Sequence, residues 1–566
     1  MIRARVAPIF CLFILQAACG GPQGAAPPPD DGVVVFAPKG RPQAASLRTT
    51  APSCPVGTST DPLVAATTRG LVRGKRVDST VAFLGIPFAM PPVGALRFAP
   101  PVEHACWTGI QATTAYGPAC PQKNQDTGRF EGSEDCLSLN VWTPKLDATA
   151  RLPVLVFIYG GGNIVGSTDE HLLSNLYDGH ALAMREQVVV VTPNYRLGAL
   201  GFFADPALDA ESPSRVSGNQ GTLDHIAALQ WVKDNIAAFG GDPARVMVFG
   251  ESAGAINVCS LVASPLAAGL FSSALMQSGG CGAHSQATQK ATSAALARKL
   301  GCTSDVATCM RSLTAEQIVA ATDGFGELLK SLTKLDPTQG LVGVLPWSSS
   351  VDGYVLPDFP LKVIAAGTHN KVPLAVGSNA NEGVVFAQPG LYLCSQYSSD
   401  LKSMFGTNAD RVLAQYPCSF WQPRQAWIDV VTDFLFTCTS RHAARAAAAS
   451  PGASVFRYFY THTADHGLDA LNGAYHSAEL AYVFRTFAAK GYTASAAELT
   501  LANNIEDFWG SLAATGSPAA GAVRWPGYTT ASEKVLLLDA TLSTSTDARA
   551  AKCNFWDSLY PAGSGG

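Results

Sequence analysis

"RVMVFGESAGA", residues Arg245 to Ala255, decides how the chain is read. The apolar run Val246 to Phe249 reads as a strand, and Ala253 to Leu261 is compatible with a helix. Between them Ser252 stands two residues from a glycine on either side. G-x-S-x-G at a strand-to-helix corner is the signature of a nucleophile elbow, because the flanking backbone can close only where side chains are absent. The competing reading is a glycine-rich turn with a bystander serine, and the pentapeptide alone does not separate the two in a chain with 53 glycines.

The surroundings favour the elbow. "PVLVFIYG" (Pro153 to Gly160) and "VVVVTPNYR" (Val188 to Arg196) are near-continuous apolar runs, as expected of strands covered on both faces. Between the second of these and Arg245 lies "HIAALQWVKDNIAAFGG". Its Ile226, Leu229, Val232, Ile236 and Phe239 recur at steps of three and four, and Gly240-Gly241 stops the run. That pattern predicts an amphipathic crossover helix. Short β-branched runs alternate with helical patterns from about Leu63 to Pro561, without a long linker or repeat, so the fold class is α/β.

A serine hydroxyl becomes a nucleophile only when a base takes its proton and a carboxylate orients that base. For this elbow the chain order is serine, acid, histidine. His476, in the small-residue loop "LNGAYHSAEL", is the candidate base, and Glu382, in the turn after the strand-like run of "VPLAVGSNANEGVVF", is the candidate acid. Asp433 is the alternative acid. Taken singly, either side chain could equally be a capping or surface group. "IYGGGN" (Ile158 to Asn163) supplies the backbone N–H groups of Gly161 and Gly162, and Ala253 follows the serine, so these three are candidate donors to an oxyanion. A phosphate loop is excluded at Gly160 to Gly162 because no Lys-Ser/Thr follows.

Composition narrows the function further. Hydrophobic residues make up 47% and charged residues 14%, which argues for a large buried core. With 39 basic and 43 acidic residues the net charge is −4, and no basic stripe offers a nucleic-acid surface. Arg3 and Arg5 precede the apolar stretch Val6 to Ala18, so residues 1–19 read as an export signal. "LQAACGG" (Leu15 to Gly21) is a candidate lipoprotein processing site with Cys19 as the lipidated residue and membrane attachment as the consequence; ordinary signal cleavage is the other reading. Residues 20–53, rich in Pro, Gly and Ala, read as a flexible tether, and 54–566 as a single domain. Of 14 cysteines, twelve lie beyond Cys11 and Cys19, an even number suited to disulfides in an oxidising compartment. No Cys/His cluster has zinc spacing, and no cofactor is expected.

"FLGIPFAMPPVGALRFAPP" from Phe83, "EDCLSLNVWTP" from Glu134, "NYRLGALGFF" from Asn194, "LMQSGG" from Leu275, "GAYHSAEL" from Gly473 and "CNFWDSLYP" from Cys553, together with the elbow, resemble the type-B carboxylesterase and lipase family, which includes cholinesterases. The resemblance implies an α/β-hydrolase fold with a large, mostly parallel sheet. It implies a serine esterase using Ser252, Glu382 and His476, with Gly161, Gly162 and Ala253 as oxyanion donors. It also implies disulfides Cys120–Cys136, Cys302–Cys309 and Cys438–Cys553. Cys54 with Cys106, Cys259 with Cys281, and Cys394 with Cys418 are left only by elimination. Arg97 and Glu134 resemble a family ion pair, against a solvated surface pair as the plain alternative.

The departures concern substrate. Pro121 to Asp135 lacks the tryptophan that holds a quaternary ammonium in cholinesterases, so no choline specificity is expected. Asn163 stands where phenylalanine is common, which predicts a more polar or reshaped acyl pocket, and Tyr159 replaces the histidine of many bacterial lipases. A lipase acting on longer-chain esters is the main alternative, and a catalytically inactive binding protein a more distant one. "SLTK" (Ser331 to Lys334) fits S-x-x-K of penicillin-interacting enzymes, but S-D-N and K-T-G are missing.

Overall fold

The computed structural model describes residues 54–561 apart from 126, 169–174, 323, 325–331, 335, 336, 388–391, 467, 468 and 547. The expected export signal, Cys19, the whole of the expected tether, 20–53, and Ser331 lie outside the described residues.

Eleven strands form one twisted sheet: β1 (Lys75–Val77), β2 (Thr80–Pro87), β3 (Ser138–Thr143), β4 (Leu152–Ile158), β5 (Val189–Pro193), β6 (Gly241–Glu251), β7 (Ser273–Gln277), β8 (Leu374–Asn379), β9 (Val455–Tyr460), β10 (Val535–Leu538) and β11 (Ser543–Ser545). Their spatial order is β11-β10-β9-β8-β7-β6-β4-β5-β3-β2-β1. The run from β5 through β4, β6, β7, β8 and β9 to β10 is parallel, and the outer pairs are antiparallel. The parallel strands are the apolar runs of the sequence: Val154 to Ile158, Val189 to Val191 and Val246 to Phe249 are all buried, because helices cover both faces.

The predicted crossover is α1 (Gln220–Asn235), continued by a single 3-10 turn, Ile236–Phe239, and ended by Gly240 at φ 86°. It is less amphipathic than its spacing predicts. Polar Gln220, Thr222, Asp224 and His225 are buried beside the apolar stripe, and only Lys233 and Asp234 of the helix are exposed. Arg196 causes part of this: its guanidinium and backbone N–H both donate to the Asp224 carboxylate, at 2.7–3.0 Å.

Six disulfides join Cys54–Cys106, Cys120–Cys136, Cys259–Cys281, Cys302–Cys309, Cys394–Cys418 and Cys438–Cys553. The last fastens the final helix, Ala550–Leu559, to the body, where Trp556 packs against Phe434 at 4.6 Å between ring centroids. Arg97 and Glu134 are not a solvated pair: both side chains are largely buried, with Arg97 Nε 2.6 Å from Glu134 Oε1. The Arg97 guanidinium also donates to the carbonyls of Met310, Arg311 and Leu313. This many disulfides is the mark of an extracellular or exported protein. No helix among the described residues is long and apolar enough to cross a membrane.

Candidate active site

Ser252 sits on the corner between β6 and α2 (Ala253–Ala263), with φ 58° and ψ −124°. A side-chain-bearing residue in this left-handed region is strained, and the surroundings hold it there. The Ser252 N–H donates to Gln277 O on β7 at 2.9 Å, and its carbonyl accepts from Ala255 N and Ile256 N. Gly254 must lack a side chain, since a Cβ would collide with the Ile158 carbonyl oxygen of β4. The elbow therefore exists because β4 and the start of α2 approach closer than any Cβ allows.

Two loops at the same ends of the parallel strands bring in the other candidates. Glu382 opens a short turn, Glu382–Val384, just past β8. His476 follows β9 by a loop stitched to that turn: Asn381 N donates to Ala474 O at 2.9 Å, and Ala474 N to Asn381 Oδ1 at 3.1 Å. His476 Nδ1 lies 2.6 Å from Glu382 Oε2, across 94 residues of sequence. The second Glu382 oxygen accepts from Asn379 N at 2.7 Å, so the carboxylate cannot swing away. Phe386 and Phe436 flank the imidazole at 5.2 and 4.8 Å between centroids. Asp433 is elsewhere: it is buried and accepts from Tyr416 OH at 2.9 Å.

Ser252, His476, Gly161, Gly162 and Ala253 all line one cavity of about 260 Å³. Gly161 and Gly162 have φ of 90° and 65°, and among the described residues no acceptor takes their N–H groups. The Ala253 N–H opens α2, where first-turn donors lack intrahelical partners. Three uncommitted N–H groups thus border the serine. The remaining wall is chiefly apolar, including Leu341, Val344, Leu345, Val385 and Phe386. Among the described residues, no three or more His, Cys, Asp or Glu side chains are grouped to hold a metal ion.

A carboxylesterase family model matches residues 60–556. The chain is 35% identical over 503 residues to the para-nitrobenzyl esterase of Bacillus subtilis (strain 168), an alignment covering 86% of this chain and 97% of that protein. It is 36% identical over 498 residues to the fumonisin B1 esterase of Sphingopyxis macrogoltabida, covering 84% and 87%. Its structure matches that of a "thermophylic PNB esterase" with a TM-score of 0.75 at 32% identity, over 88% of this chain and 100% of the other. The chain belongs to the carboxylesterase family. It is a carboxylic ester hydrolase of the serine esterase type with the α/β-hydrolase fold.

In this carboxylesterase, one expectation about the pocket needs correcting. Asn163 does not make the acyl side polar: it is fully buried, its amide donating to Trp347 O at 3.2 Å and its oxygen accepting from Asn257 Nδ2 at 2.9 Å and Tyr195 OH at 3.2 Å. Its positive φ of 58° turns it away from the cavity into this network. Tyr159 is likewise a core residue, stacked on Tyr195 at 4.6 Å. The pocket wall was only partly placed by sequence. Leu332 and Leu341 come from the unpatterned stretch Thr322 to Gly343, while Tyr177 and Lys490 come from segments no motif marks.

The carboxylesterase also carries two further buried acidic groups near His476. Glu251, immediately before the serine, is buried with Oε1 3.2 Å from His476 Nε2 and accepts from Ser477 Oγ at 2.6 Å. Glu479 is buried behind it, accepting from Gln277 Nε2 at 2.9 Å and Asn379 Nδ2 at 2.6 Å. Burial raises the pKa of Glu251, and burial followed by the Glu251 charge raises Glu479 to about 7. Burial works against a charged His476, but Glu251 and then Glu382 outweigh it and raise its pKa to about 9. The only advance sign was the adjacency of Glu251 to the serine in "GESAGA". Nothing in the one-dimensional pattern says which way that carboxylate points.

Proposed function

We propose that the protein is an exported carboxylesterase in which Ser252 is the nucleophile, His476 the general base and Glu382 the group that orients and charges the base. The observation that carries this reading is the 2.6 Å contact between His476 Nδ1 and Glu382 Oε2 in the cavity that Ser252 lines. His476 Nε2 removes the Ser252 Oγ proton as that oxygen attacks the ester carbonyl. The N–H groups of Gly161, Gly162 and Ala253 receive the negative oxygen of the tetrahedral intermediate. The imidazolium returns its proton to the departing alcohol, and water, activated by the same nitrogen, releases the acid from Ser252.

A cavity of about 260 Å³ with an apolar wall suits short and medium ester groups, since it lies at the small end of ligand pockets. Hydrolysis of p-nitrophenyl esters from acetate to palmitate, with wild type beside Ser252→Ala, tests both halves of the proposal. Serine-dependent turnover that peaks at short chains supports the esterase. A peak at long chains with a jump on emulsification makes it a lipase, and no turnover at any length overturns the catalytic reading.

Residues 1–19 act in this proposal as the export signal, 20–53 as the tether and 54–566 as the catalytic domain, with Cys19 lipidated. A diacylglyceryl mass on Cys19 of the mature protein supports attachment to the bacterial cell envelope; an unmodified mature terminus makes the protein a secreted one.

A further inference from the structure

The cavity beside Ser252 is lined by one acidic and two basic side chains, Glu251, His476 and Lys490, and two of them already face each other. Glu251 is bound by Ser477 Oγ and His476 Nε2, and His476 by Glu251 and Glu382. The third, Lys490, is half-buried in the cavity wall. It ends the short 3-10 turn Phe487–Lys490, which the buried Phe487 anchors and Gly491, at φ 78°, closes. The ammonium lies 5.4 Å from the centre of the Tyr475 ring, which lines the same cavity, and is near enough to act electrostatically on the Glu251 carboxylate. Among the described residues it has no hydrogen-bond acceptor and no ion-pair partner.

The geometry points to Lys490 as a subsite for a carboxylate carried by the ester substrate, so that the enzyme favours monoanionic esters over neutral ones. This rests on the esterase reading given above. A lysine has three donors and a compact charge. With Glu251 and His476 engaged with each other, its ammonium is the cavity's cation without an acceptor among the described residues, set against a largely apolar wall of Leu341, Val344, Leu345 and Phe386, which favours an anion there. Glu251 does not pair with Lys490: among the described residues its contacts are to Ser477 Oγ and His476 Nε2, both on Oε1, and the ammonium makes no ion pair with it. The same charge repels quaternary ammonium esters, in line with the missing choline-site tryptophan. The anionic group can belong to the acid, as in a half-ester of a dicarboxylic acid, or to the alcohol, as in an acylated hydroxy acid. Both present the same carboxylate.

Two matched pairs of substrates test it with the full-length mature enzyme. Mono-(4-nitrophenyl) adipate against 4-nitrophenyl hexanoate places the charge on the acid; 4-acetoxybenzoate against 4-acetoxybenzamide places it on the alcohol. The reading is the ratio of kcat/KM, anionic over neutral, in wild type, Lys490→Met, Lys490→Arg and Lys490→Glu. The expected ratio in wild type is on the order of ten in at least one pair, arising chiefly in KM and shrinking at high salt. It should be kept in Lys490→Arg, fall to one or below in Lys490→Met, and fall further in Lys490→Glu. Equal rates for anionic and neutral esters in both pairs, or a preference that survives Lys490→Met, would overturn the inference while leaving the esterase standing. Loss of turnover on neutral and anionic esters alike in wild type would overturn the esterase reading and this inference with it.

Discussion

His476 is held between two carboxylates, with Nδ1 2.6 Å from Glu382 and Nε2 3.2 Å from Glu251. Among the described residues Ser252 Oγ makes no hydrogen bond, and His476 Nε2, the proposed acceptor of the serine proton, faces Glu251 instead. Such bonds commonly tighten only when substrate is bound.

That arrangement sets a pH dependence. With His476 as the proposed general base, its neutral form carries out the attack, and its pKa is raised to about 9, so kcat/KM should climb through neutrality and level off near that value. Replacing Glu251 by Gln removes the largest of the charges stabilising the imidazolium, so the acid limb should move to lower pH, towards the ordinary histidine value of about 6.5. The pH profiles of the two proteins on one neutral ester provide the check, and a limb that stays in place would assign the raised pKa to another group.

Ser252→Ala should reduce turnover by about 10⁴-fold or more and leave the thermal midpoint nearly unchanged, because the side chain contributes no hydrogen bond to the fold. Glu382→Gln should be nearly as damaging, by roughly 10³- to 10⁴-fold, through loss of the charge that supports the imidazolium. Steady-state kinetics and calorimetry on the same preparations separate catalytic loss from unfolding.

Gly254→Val should destabilise as well as inactivate. Its Cβ has no room against the Ile158 carbonyl, and separating α2 from β4 to make room disrupts the core, at a cost of about 1–3 kcal/mol or more. Urea denaturation monitored by tryptophan fluorescence would read this as a lower midpoint at similar slope.

Arg97→Ala should cost about 3–5 kcal/mol, since it leaves the largely buried Glu134 carboxylate uncompensated and strips donors from the carbonyls of Met310, Arg311 and Leu313. A solvated pair would cost less than about 1 kcal/mol, so the measured loss distinguishes the two situations.

Alkylation of the denatured, unreduced mature enzyme should label none of the twelve cysteines from Cys54 to Cys553, and all twelve after reduction, if Cys19 is blocked by its lipid. Cys553→Ser opens the largest loop, 115 residues, and should lower stability by about 4–5 kcal/mol on the chain-entropy account.

Periodicity and glycine spacing made much of this protein legible in advance. Apolar runs such as Val154 to Ile158 and Val246 to Phe249 can be buried on both faces only in a helix-covered parallel sheet, and Gly250 and Gly254 around Ser252 permit only a tight corner. Those are local constraints, written in residues a few positions apart. What the tertiary structure alone decided is everything that depends on the direction of a side chain across distant segments. It turned Asn163 into the core and away from the cavity, chose Glu382 over Asp433 as the partner of His476, and set Glu251 and Lys490 at the cavity. Burial and electrostatic fields act through space over a few ångströms, whereas the sequence orders residues along the chain, so groups 94 positions apart can meet without any pattern between them announcing it.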